Sequence, residues 1–207
     1  MSRILIPILL SISLIGGLLF FIKKPADNFF VFLVPHNDIY QSKILQLIDS
    51  NYRSNIKTII VLGTNHRDIG PPVAQSGDDY SIQNIIPVIN KIYPDAEVVS
   101  YIIRPGHDIQ NNLSFSNSLK KGYDPRRTLI IASVDFSHYT SRSQADTFDQ
   151  ETIRAINQSD YNQLIAWGPE HTDCPDCIII SSILGPKFTL TDKEYSDGTS
   201  YFFGYFQ

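Results

Sequence analysis

Cysteine, methionine and tryptophan are scarce in this chain: 207 residues hold two, one and one of them. Two cysteines fall short of the four protein ligands that a structural zinc requires. There is no internal repeat, no low-complexity tract and no long run of like charge. Lysines and arginines are scattered and the formal net charge is −4, so the electrostatic footprint that nucleic acid demands is missing and nucleic acid is excluded as a partner. From about residue 26 onward the chain is long enough for one domain and too short for two.

What is present starts with an apolar run. Met1-Ser2-Arg3 leads into Ile4 to Ile22, which carries no charge and stops at Lys23-Lys24-Pro25. At about 1.5 Å per residue the run matches a bilayer core of roughly 30 Å. It predicts one N-terminal transmembrane helix over about 4–22, with residues 1–25 as a membrane anchor and 26–207 as an α/β domain. Two lysines and a proline follow the run where a cleaved signal would have small residues, which favours a retained anchor. Positive charge flanks both ends, so the orientation rule nearly cancels. The expected localisation is a single-pass membrane protein with its domain outside the cytoplasm.

The rest of the chain alternates strand-like and helix-like segments. Phe29 to Val34, Thr58 to Leu62, Val98 to Ile103 and Thr128 to Ala132 are β-branched or aromatic runs suited to strands buried on both faces. Ile39 to Tyr52, Ser81 to Ile89, Asn111 to Lys121 and Ser141 to Ile156 carry helical spacing, with Pro87 either kinking its helix or lying in the first turn. Arg67 to Asp79, rich in Gly, Pro and Asp, reads as a loop over a site, and Tyr201 to Phe206 as a closing strand. The expected fold is a single α/β domain with a central, mostly parallel sheet flanked by helices.

Three of these strands end in chemistry. The first delivers Pro35-His36-Asn37-Asp38, the second Gly63-Thr64-Asn65-His66, and the fourth Ser133-Val134-Asp135-Phe136-Ser137-His138-Tyr139. Ligands of open α/β sheets bind beyond the strand ends. Three of the five histidines sit just past strand-like runs, and parallel neighbouring strands would gather them at one edge, as a metal site needs. A plainer reading also exists, in which Asp135 caps the next helix and His138 is a satisfied histidine at the sheet edge. His107 follows a strand too, but Pro105-Gly106 and Asp108 read as a turn and a cap, and it is left outside the site. Asp149 and Glu151 face either solvent or the groups behind the site.

A second constellation is His171-Thr172-Asp173-Cys174-Pro175-Asp176-Cys177. The cysteines can be half of a zinc site, a redox pair, or a small disulfide; alternatively Cys174 alone points at His36, His66, Asp135 and His138. A thiol redox protein is the weakest of the functional readings, because the pair lacks the helix-opening context of a thioredoxin-like site.

Pro35-His36 with Tyr40-x-Ser42, Leu62-Gly63-x-x-His66, Ser133-x-Asp135-Phe136-Ser137-His138-Tyr139, Thr172-x-Cys174 and Gly204-Tyr205 together resemble the Memo family, also called AmmeMemoRadiSam system protein B. The resemblance covers nearly all of the chain beyond the first apolar run. It implies a fold related to the class III extradiol dioxygenases, which use non-haem Fe(II), and a metal pocket at His36, His66, Asp135, His138 and Cys174. Beside a metal, His138 or His66 can serve as a general base and Cys174 as a ligand or nucleophile; His138 and Cys174 are the candidate catalytic groups. The ion implied is a divalent transition metal, Fe(II) first, with zinc and copper as alternatives. Two departures stand out. Asn37-Asp38-Ile39 replaces a family Ala-Gly, and Asp79-Tyr80-Ser81-Ile82-Gln83 stands where the family has Glu-His-Ser-Leu-Glu. The expected function is a membrane-anchored Memo-like protein with metal-dependent redox activity on an unknown substrate, partnered by the membrane and a small molecule or protein. The alternative is a non-catalytic binding or scaffolding module that kept the fold and part of the pocket.

Overall fold

Alternation along the apolar runs divides each central strand between two faces. The computed structural model describes residues 28–106 and 108–207. In it, Val31, Leu33, Ile60, Leu62, Ile130 and Ala132 turn to one face of the sheet, while Phe30, Phe32, Val34, Ile59, Val61, Leu129 and Ile131 turn to the other. Both faces are covered, which is why the runs are apolar without interruption.

The elements follow in the order β1 (Phe30–Val34), α1 (Gln41–Asp49), β2 (Thr58–Thr64), β3 (Val73–Gln75), α2 (Tyr80–Gln83), α3 (Ile86–Ile92), β4 (Glu97–Ile103), α4 (Ile109–Gly122), β5 (Thr128–Ser133), α5 (Arg142–Gln158), α6 (Tyr161–Ala166), α7 (Pro175–Leu184), β6 (Phe188–Ser196) and β7 (Thr199–Phe206). Helices α1, α2 and α3 pack on one face through Ile44, Ile48, Ile82, Val88 and Ile89. Helices α4 to α7 pack on the other through Leu119, Ala155, Ile156, Leu164 and Ile178 to Ile180. Pro87 lies in the first turn of α3, where its missing N–H leaves nothing unpaired.

The sheet has seven strands in the order β3-β4-β2-β5-β1-β7-β6. Its pairings correct the expectation of a mostly parallel sheet: β1 with β5, β2 with β5 and β2 with β4 are parallel, but β1 with β7, β6 with β7 and β3 with β4 are antiparallel. The strands joined by helical crossovers run parallel. The last two are joined by Asp197-Gly198, both at positive φ, and a two-residue turn forces an antiparallel pair.

The transmembrane part of the expected fold is corrected as well. The run 4–22 lies outside the described residues, and among the described residues no helix is long and apolar enough to cross a membrane. The longest of them, α5, has 17 residues and is polar along much of its length. The expected single-pass localisation is therefore not supported by any helix among the described residues.

Gly63, near the end of β2, shows how tightly α2 seats on the sheet. A Cβ there would lie 2.4 Å from Ser81 Oγ and 2.6 Å from Ile82 Cδ1. Gly63→Ala is therefore expected to destabilise the fold by about 1–3 kcal/mol, read as a lowered midpoint in thermal denaturation; an unchanged midpoint would mean that α2 yields without cost.

Candidate metal centre

Register decides which side chains meet. Val34 of β1 and Gly63 of β2 both align with Ser133 of β5, so the chain leaves three adjacent strands at one level. Just beyond lie His36, Asn65-His66 and Asp135, and these line a cleft of about 640 Å³ together with Asn37, Asp38, Asp68, Tyr80, His138, Tyr139 and Asp173. His36, His66, Asp135 and His138 thus come to one place, as their spacing after the strands predicts. Cys174 is not among the cleft-lining residues. Its sulfur is bonded to that of Cys177 and both are fully buried. His107 lies outside the described residues.

The tightest grouping of donor atoms is His36, His66 and Asp173, whose ligand atoms all lie within 4.8 Å of one another. Asp173 Oδ2 stands 3.4 Å from His36 Nε2 and 3.5 Å from His66 Nε2. It is buried and makes no hydrogen bond of its own. Asp135 Oδ2 is 3.3 Å from the same His36 nitrogen. The two imidazole rings meet edge to face, 5.1 Å between centroids at 85°.

The His66 ring is held from behind. His66 Nδ1 lies 2.8 Å from Asp79 Oδ1, and the His66 backbone N–H donates to Asp79 Oδ2 at 3.1 Å. A carboxylate at Nδ1 fixes the proton there and leaves the Nε2 lone pair facing the cleft, the arrangement that metal-binding histidines favour. Burial alone would weaken proton binding by His66, but the carboxylates of Asp173 and Asp79 outweigh it and raise the ring's pKa. Burial also opposes the ionised form of Asp79; the N–H of Ser81 and the His66 ring outweigh it and hold the carboxyl below its usual value. Burial keeps the His36 pKa below the usual imidazole value despite the charge of Asp173. His36 is neutral near pH 7, with an open lone pair, so its contacts with Asp135 and Asp173 are not full ion pairs.

The segments bearing the carboxylates are laced together. The Asp135 N–H donates to Asp173 Oδ1 and the Asp173 N–H to the Asp135 carbonyl, both at 3.1 Å. Thr172 donates its hydroxyl to the same carbonyl at 3.2 Å, and Phe136 and Thr172 form an isolated bridge. The His36 N–H donates to Asp135 Oδ1 at 3.2 Å. Burial first, then the charge of Asp173, pushes the Asp135 carboxyl up to about 8.

Behind Asp135, Asp149 is buried and accepts from Ser137 Oγ and Ser200 Oγ, both at 2.6 Å, and from Lys193 Nζ at 2.7 Å. Of the two positions left open on α5, Asp149 therefore faces inward and ties the Ser137 loop to β6 and β7. Glu151 instead meets His171 Nε2 at 3.1 Å. His138 stands at the rim of the cleft, outside the three-residue grouping, with its Nδ1 buried and unpartnered.

Two further residues belong to the site. Asp173 is the unspecified position of Thr172-x-Cys174, where attention falls on the flanking Thr and Cys; Asp79, read as the end of a loop, also caps α2 through the Ser81 N–H at 2.9 Å. The cysteine pair is also corrected. Cys174 is the N-cap of α7 and its sulfur accepts from the Cys177 N–H at 3.2 Å, so the helix-opening context is present after all. Both sulfurs are sealed in the core.

No family model matches the chain. A MEMO1 family protein of Desulfurococcus amylolyticus is 26% identical over 220 aligned residues, which cover 83% of this chain and 72% of that protein. A crystal structure of an uncharacterized Escherichia coli K12 protein aligns with a TM-score of 0.54 at 13% identity, over 86% of this chain and 98% of that one, a likeness of fold alone.

The raised Asp135 pKa has a sign for stability. A carboxyl whose pKa is higher folded than unfolded binds protons more tightly in the native state, so it lowers stability as pH rises from the unfolded value of about 4 towards 8. In metal-free protein, Asp135→Asn keeps the Oδ1 acceptor for the His36 N–H and removes the repulsion. It is expected to be more stable than the unaltered chain at pH 8, by a margin that shrinks at pH 5. Urea melts at the two pH values check this, and a margin that grows on acidification would contradict it.

Proposed function

We propose that this chain, Memo-like in sequence over most of its length, is a metal-dependent oxidoreductase whose divalent ion is held by His36, His66 and Asp173. The observation that carries the reading is the buried Asp173 Oδ2, unpartnered and facing two imidazole nitrogens at 3.4 and 3.5 Å. Buried carboxylate oxygens are rarely left without a donor, and a cation between the three groups would satisfy all of them. Two histidines and one carboxylate are the donor set of non-haem Fe(II) sites with open positions; zinc and copper accept the same imidazoles. Fe(II) held in such a set supplies electron transfer and dioxygen chemistry to whatever binds beside it.

The protein's own groups have distinct tasks in this reading. Asp79 orients the His66 ring through Nδ1. Asp135 Oδ2, 3.3 Å from His36 Nε2, is a carboxyl placed to deliver or accept a proton beside the ion. His138 is a second proton acceptor at the rim. Tyr80 lies flat over His66, 3.9 Å between centroids at 25°, and keeps water off that side of the ring. A binding module without turnover is the second reading, favoured by Tyr80 and Gln83 standing where the family has a histidine and a glutamate.

Anaerobic titration of the purified full chain with Fe(II) or Co(II), followed by metal analysis, tests the assignment. Stoichiometric uptake is expected, with His36→Ala, His66→Ala and Asp173→Ala each weakening affinity at least roughly tenfold and Asp79→Asn about 10–100-fold. Metal content unchanged in His36→Ala and Asp173→Ala would overturn the site. Loaded protein that consumes no dioxygen with any reducing substrate would leave the binding module.

A further inference from the structure

The walls of the cleft carry a charge pattern that the metal reading uses only at Asp135 and Asp173. Its lining includes Asp38, Asp68, Asp135 and Asp173 and no lysine or arginine. Two arginines of the adjoining loops are already engaged: Arg104 bonds the lining residue Asp68 and the Gly70 carbonyl, and Arg67 bonds Asp78. Carboxylate and phosphate groups are recognised by guanidinium or ammonium donors, and this cleft offers none.

Exposed aromatic and aliphatic side chains also gather at the mouth. Among the described residues the large hydrophobic side chains left exposed are Ile39, Tyr52, Ile69, Tyr80, Tyr139 and Leu190. Tyr80 and Tyr139 line the cleft, and Ile39 and Ile69 adjoin the lining residues Asp38 and Asp68. Tyr139 is 92% exposed and holds φ at +57°, in the left-handed region that a tyrosine seldom occupies. The next residue fixes it there, since the Thr140 N–H donates to the Gly198 carbonyl at 3.2 Å. A strained, bare aromatic ring at a cleft mouth is a feature to be explained by what it meets. About 640 Å³ suits a small molecule rather than a folded partner.

We propose that the cleft takes a small ligand whose metal-binding head carries an uncharged or cationic aromatic body, seated between Tyr80 and Tyr139 with Asp38 beside it, and that it discriminates against anionic bodies. The inference deepens the metal assignment and rests on it. Tyrosine faces attract cations and stack on aromatic rings, while an anionic body would lie against Asp38 with no countercharge.

Three hydroxamates with one head and different bodies test this on the Co(II)-loaded full chain: 4-(aminomethyl)benzohydroxamic acid, benzohydroxamic acid and 4-carboxybenzohydroxamic acid. Binding is read from the Co(II) absorption spectrum and from calorimetry. The expected order of affinity is cationic, then neutral, then anionic, with about tenfold between the extremes. Asp38→Asn is expected to narrow that ratio to about threefold or less while Co(II) uptake stays intact, and Tyr139→Ala to weaken the cationic and neutral probes together. Normal Co(II) uptake with the carboxylate probe bound as tightly as the aminomethyl probe overturns this inference and leaves the metal centre standing. Failure of the unaltered chain to take up Co(II) removes the metal centre and the inference with it.

Discussion

The parallel register of β1, β5 and β2 is the constraint on which the site depends. Because Val34 and Gly63 both align with Ser133, the backbone leaves three neighbouring strands at one height, and groups separated by tens of residues arrive within hydrogen-bonding distance. Each of these strands is buried on both faces, so a slip by one residue would turn every apolar side chain to the wrong layer. The core thereby fixes the position of polar groups that it does not contain. His36 and Asp135 inherit their placement from the packing of Phe32, Ile131 and their neighbours.

Around that fixed edge the polar contacts form a closed set. Asp79 holds His66, Asp135 and Asp173 hold each other's backbone, and Asp149 holds the loop that follows Asp135. Among these groups, nitrogens of two imidazoles and one carboxylate oxygen face one another. The cost of keeping Asp135 and Asp173 together without a cation shows in the raised Asp135 pKa. Positive charge between the two acids would relieve that cost.

Much of this is legible in the residues. The apolar runs give β1, β2, β4 and β5, and histidine or aspartate after three of them gives the cleft. Strand β6 escapes such reading because Thr189-Leu190-Thr191-Asp192-Lys193-Glu194 is a half-exposed edge with no apolar pattern. The mixed character of the sheet follows from that omission, since β6 and β7 make an antiparallel pair. Asp79 and Asp173 are illegible for another reason: aspartate is common at helix caps and in loops, and its role here depends on where two other loops end. Cys174 draws attention in the motif, yet it is its neighbour Asp173 that faces the histidines while the sulfur is taken up by Cys177.

X-ray absorption at the metal edge of the zinc-loaded chain tests the centre most directly, because it reads the donor atoms. Two imidazole nitrogens with oxygen donors, and no sulfur, is the result expected of an ion held by His36, His66 and Asp173. A sulfur scatterer at roughly 2.3 Å, or a shell without imidazole, would contradict it.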